Sequence, residues 1–89
     1  MLSKSIKIIN KLGLHARAAA KFVGTASNYN ADISVSRGDR KVNGKSIMGI
    51  MMLAAAKDTT IEIVTAGRDE TEALLGLEAL ILDKFGEAE

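Results

Sequence analysis

The sequence predicts a two-layer, open-faced α/β sandwich in which one four-stranded antiparallel sheet carries three helices on one face. Four short segments alternate apolar and polar residues with the two-residue period of a half-buried strand. Three others repeat apolar residues at helical spacing. The order strand, helix, strand, strand, helix, strand, helix leaves one apolar sheet face for the helices to cover and one polar face open to water.

The first strand is read from Ile6 and Ile8, which flank Lys7. A helix is expected from Ala16 to about Asn28, because Ala19, Phe22, Val23 and Ala26 fall on one stripe. Ile33 and Val35 alternate with Ser34 and Ser36, and Val42 stands between Lys41 and Asn43. Between these two strands "RGDR" holds the glycine and aspartate of a tight hairpin turn. A short helix is expected after Ser46, with Ile50, Leu53 and Ala54 turned toward the sheet. Ile61 and Ile63 flank Glu62 in the fourth strand. The last helix should run from Asp69, as N-cap, to about Phe85, with Leu74, Leu77, Ile81 and Phe85 on its buried stripe and Gly86 as its stop.

At 89 residues, 47% hydrophobic and 26% charged, the chain reads as one domain, 1–89, without linker, repeat or low-complexity segment. It has no cysteine, so packing must supply the stability that disulfides or a cysteine metal site would otherwise provide. A formal charge of +1 and 3% aromatic residues lack the basic surface and stacking platforms of nucleic-acid binders. "MLSKSIKIINKLG" does not read as a secretory signal, and the apolar run "SIMGIMMLAAA" is far short of a membrane span. No nucleic-acid or membrane partner is therefore expected, and a cytoplasmic location is. Without an export signal or disulfides, Arg37-Gly38-Asp39 is a turn and not an adhesion motif.

"KLGLHARAAAKF" carries the only histidine, His15, just before the first helix. The first amides of a helix lack partners within it, and with the positive end of the helix dipole they favour an anion. A phosphate on the imidazole would lie beside the amides of Ala16, Arg17 and Ala18. Arg17 would add a fixed charge and a fork of donors matched to phosphate oxygens. A neutral imidazole is the nucleophile such chemistry needs. For an arbitrary His-x-Arg, an exposed residue at a helix end with no task is the commoner case. A zinc site would need two or three further ligands besides the lone histidine, and no nucleophile motif such as G-x-S-x-G is present, so no metal is expected.

In "VNGKSIMGIMMLAAAK", the Ser46 hydroxyl can cap the following helix, a position that also suits a phosphate. That helix is too apolar for one buried stripe. Ile47, Met48 and Met51 are left over as a docking surface, unless the helix is an ordinary core element. The residues by themselves leave three functions open. These are a phosphocarrier at His15, a binding module working through Ser46 and the methionine helix without histidine phosphorylation, and a hydrolase using His15 as general base.

"GLHARAAAKFV" and "NGKSIMGIMMLAAAK", with the length and element order, make the chain resemble HPr, the histidine-containing phosphocarrier family of the bacterial phosphoenolpyruvate-dependent phosphotransferase system. The resemblance implies strand order 1-4-2-3 and a carrier without turnover of its own. It implies that His15 accepts a phosphoryl group on Nδ1 from phosphorylated enzyme I, assisted by Arg17, and donates it to an enzyme IIA. It further implies phosphorylation of Ser46 by HPr kinase/phosphorylase, hindering exchange at His15, and docking of partners on Ala20, Ile47, Met48 and Met51. No cofactor is implied, and a monomer is expected. Family members usually have proline where this chain has Ala18; its loss loosens the helix start but restores one amide. The opening "IINKLGLHAR" is also similar to NPr, the carrier of the nitrogen-related branch, so a purely regulatory carrier is the alternative.

Overall fold

A computed structural model describes all 89 residues. The elements run β1 (Leu2–Lys7), α1 (Ala16–Ala26), β2 (Asp32–Arg37), β3 (Arg40–Asn43), α2 (Ile47–Met52), β4 (Thr60–Ala66) and α3 (Glu70–Leu82), followed by a 3-10 turn, Lys84–Gly86. The four strands form one antiparallel sheet in the order β1-β4-β2-β3, with the three helices against one face, as the resemblance implied.

The two-residue period decides which side chains face the helices. Ile6 lies opposite Ile61, Val35 lies between Ile63 and Val42, and Ile33 lies opposite Thr65. All of these are buried except the half-buried Val42, whereas Ser3, Ser5, Lys7 and Glu62 are exposed on the other face. Ile8 lies beyond the end of β1 yet is also buried; its amide donates to the Thr59 carbonyl at 2.9 Å and its carbonyl accepts the Asp58 amide at 2.7 Å. Gly38, with φ 62°, takes the first position of the two-residue β2–β3 turn, where a side chain would be strained.

The helices depart from expectation at their ends. α1 stops at Ala26, because Ser27 and Asn28 turn toward β2; it buries Ala18, Ala19, Phe22 and Ala26 while Val23 is half-buried. α2 buries Ile50, and Leu53 just beyond it. Ala54, expected on the sheet side, is exposed with φ 52°, and this left-handed residue carries the chain so that Ala55 is buried in its place. The regular turns of α3 end at Leu82 and bury Ala73, Leu77 and Ile81, with Leu74 only half-buried. Lys84 and Phe85 then adopt positive φ, a reversal that swings Phe85 into the core. The Lys21 ammonium holds this turn by donating to the Phe85 carbonyl at 2.6 Å.

Asp69 precedes α3 but its side chain does not cap it. Its two oxygens instead accept the amides of Asn30 and Ala31, both at 2.8 Å, tying the start of α3 to the segment entering β2. The bond from Asn30 is the largest cause holding the Asp69 carboxyl below its ordinary range; desolvation opposes it, and the Ala31 amide and Lys45 charge support it. A depressed folded-state value means the charged form is favoured in the native protein. The stabilisation is present above the unfolded value and is lost as pH falls through the folded one. Thermal melts of the chain and of Asp69→Asn should therefore differ at pH 7 and converge in acid below about pH 4; a constant gap across this window would contradict the assignment.

Candidate functional site

The approach to α1 is pinned on both sides. Gly13 has φ 67°, and a side chain there would meet the Ala56 backbone, with Cα 2.8 Å from the added Cβ. The Leu14 amide donates to the Ala55 carbonyl at 2.9 Å, and the Leu14 side chain is buried. Asn10, fully buried, donates from Nδ2 to the Gly13 carbonyl at 2.8 Å. This frame presents His15 as the N-cap residue of α1, with extended backbone and a ring that makes no bond to the helix itself.

The His15 carbonyl accepts the Ala19 amide at 2.8 Å, closing the first turn. The amides of Ala16, Arg17 and Ala18 have no acceptor within the protein. Ala16 and Arg17 are exposed, whereas the Ala18 side chain is completely buried beside Ala19. An open cleft of about 690 Å³ lies here, its walls including Lys11, Leu12, His15, Arg17, Glu87 and Glu89. Arg17 makes no ion pair with the protein, so its guanidinium is available to a visiting anion.

Glu87 is the participant that sequence reading did not find. Its Oε2 is hydrogen-bonded to Nε2 of His15, and its Oε1 accepts Asn10 Nδ2 at 3.0 Å. Burial pushes the Glu87 carboxyl up, but hydrogen bonds from Asn10 and His15 and the positive charge of Arg17 outweigh it and hold the group below the ordinary glutamate range. An ionised carboxylate only accepts, so Nε2 is the donor and bears the ring proton. Nδ1 has no partner in the protein. Nothing local marked Glu87, which lies 72 positions from His15.

Ser46 is outside this cleft. It caps α2, its hydroxyl accepting the Gly49 amide at 3.0 Å. On α2, Ile47, Met48 and Met51 are 45%, 69% and 41% exposed, so the helix is not an ordinary core element. Met52 and Leu12, not singled out from the sequence, are exposed as well, as is Ala20 one turn along α1 from Ala16. No group of three or more His, Cys, Asp or Glu side chains is arranged to hold a metal ion. No helix is long and apolar enough to cross a membrane.

A family model described as "PTS HPr component phosphorylation site" matches residues 2–83. The chain is 60% identical to phosphocarrier protein HPr of Neisseria meningitidis over 89 residues, covering 100% of both. Its fold is similar to the crystal structure of HPr-C-His from Thermoanaerobacter tengcongensis, with TM-score 0.96 and 47% identity over 100% of both chains. It is also similar to the HPr dimer of that organism, with TM-score 0.79 and 48% identity over 98% of this chain and 100% of the other. With the histidine, the helix start and the open-faced sheet all in this arrangement, the chain belongs to the HPr family of phosphocarrier proteins of the phosphotransferase system.

Proposed function

We propose that His15 accepts a phosphoryl group on Nδ1 from phosphorylated enzyme I and passes it to an enzyme IIA. The observation that carries this reading is the division of labour on the ring: Nε2 is engaged with Glu87, and Nδ1 is left unpartnered on a residue that opens α1. The amides of Ala16, Arg17 and Ala18 and the Arg17 fork supply donors for the phosphate oxygens. Ala20, Ile47, Met48 and Met51 supply an apolar surface on two neighbouring helices for both partners, with methionine adapting to their different shapes. Incubation with enzyme I and phosphoenolpyruvate should yield one acid-labile, alkali-stable phosphate per chain; no incorporation would overturn the reading. The working unit is the single chain, and the mass in solution during transfer checks it.

Ser46 is the regulatory position, modified by HPr kinase/phosphorylase. A charge there stands at the N-terminus of the helix that carries the docking residues. Aspartate is as good an N-cap as serine, so Ser46→Asp should leave the melting temperature nearly unchanged. It should slow transfer from enzyme I by about 10-fold, within the ordinary range of coupling between sites. Equal rates for the two proteins in a stopped transfer assay would remove Ser46 from this role.

A further inference from the structure

We propose that Glu87, itself held by buried Asn10, is a positioning residue for phosphoryl transfer, keeping the proton of His15 on Nε2 so that the Nδ1 lone pair faces the incoming phosphorus. This rests on the reading of His15 as acceptor and adds the group that prepares it.

Both oxygens of Glu87 are committed. One binds the His15 ring and the other binds Asn10, whose side chain also grips the Gly13 carbonyl of the loop leading to His15. The Lys11 amide donates to the Glu89 carbonyl, with the Lys11 ammonium 3.6 Å from the Glu89 carboxylate, so the segment after Glu87 is tied down as well. A carboxylate whose other oxygen is held by Asn10, on a backbone segment tied to Lys11, fixes the orientation of the ring as well as its tautomer.

A different use of Glu87, as a stand-in for the phosphate, would place its carboxylate on the free amides of α1. It sits instead on the opposite ring nitrogen, and those amides stay open. Of these two uses, the geometry fits positioning.

The step balances without another reagent. The Nδ1 lone pair forms the new P–N bond as the donor's bond to phosphorus breaks, and that electron pair leaves with the donor atom of enzyme I. The Nε2 proton stays between the ring and Glu87. Positive charge develops on the ring as Nδ1 gives up its lone pair, and the adjacent carboxylate stabilises it, as the buried aspartate of a Ser-His-Asp triad does.

The test uses the full chain, Glu87→Ala and Glu87→Gln, each with phosphorylated enzyme I. Glu87→Ala should lower kcat for phosphoryl acceptance by about 10- to 100-fold, the loss typical of a histidine deprived of its outer partner, with KM unchanged. The ring 15N signals of unprotonated His15 should move from the pure Nε2–H form toward a mixture. Glu87→Gln keeps an acceptor oxygen, so it should retain the tautomer and lose less kcat. Wild-type kcat and ring signals in Glu87→Ala would overturn the proposal, as would a change confined to KM. Failure of His15 as acceptor would show differently, as absence of label in the unaltered chain.

Discussion

His15→Ala is expected to abolish phosphoenolpyruvate-dependent labelling of the chain while leaving it folded. The His15 ring makes its single hydrogen bond to Glu87, a side chain that keeps its bond to Asn10 when the ring is gone. His15 lies outside the buried core, and its carbonyl, which closes the first turn of α1, survives the substitution. The cost to stability should therefore stay near 1 kcal/mol, about 4 to 8 °C in melting temperature for a domain of this size. No second imidazole can replace the lost nucleophile, since histidine occurs once. Mass spectrometry of the phosphorylated mixture, kept alkaline to preserve a P–N bond, reads the outcome directly. Label that persists in His15→Ala would place the phosphate elsewhere. Partner binding that survives in His15→Ala but changes in Ser46→Asp would favour the binding-module reading.

Phe22→Ala should be the most damaging single change to the fold, at about 3 to 5 kcal/mol. Phe22 is completely buried on the inner face of α1, in a core otherwise made of aliphatic and alanine side chains with Phe85. The alanines beside it, Ala18, Ala19 and Ala26, are too small to fill the space left behind. A domain of 89 residues has a total stability of about 4 to 13 kcal/mol, so this loss is a large fraction of the whole. Denaturant melts should show the midpoint falling with little change in slope; a loss below about 1 kcal/mol would mean that α1 packs less tightly than its burial indicates. Because α1 also carries the unpaired amides proposed to receive the phosphate, the same variant should lose transfer activity at the temperature where it melts.

Much of the architecture is legible in the residues alone. Alternation at Ile6–Ile8, Ile33–Val35 and Ile61–Ile63 reports a sheet with one dry face, since neighbouring strand residues point to opposite sides. The stripe at Ala19, Phe22 and Ala26 reports α1 for the corresponding helical reason. Element ends are less legible. Ala54 and Phe85 take left-handed conformations that local sequence disfavours, and core packing maintains each of them: Ala55 enters the core directly after Ala54, and the Phe85 side chain itself fills it. Asp69 reads as a helix cap because its neighbours make it one; its real partners, Asn30 and Ala31, lie 39 and 38 positions away.

The candidate site divides the same way. His15, Arg17 and Ser46 are placed at helix starts by sequence because such starts are local events, governed by residues within one turn of one another. A role for Nδ1 and not Nε2 was implied only by family resemblance. The structure adds that Nε2 is engaged by a carboxylate brought from position 87 and steadied by Asn10. Such a contact leaves no periodicity or spacing behind, because it depends on how α3 and its closing turn pack beneath α1. Sequence by itself determined the order of the elements, most of the faces they bury and the placing of the lone histidine at a helix start; tertiary structure alone decided which ring nitrogen is held and which is free, since only folding brings the distant partner within hydrogen-bonding reach.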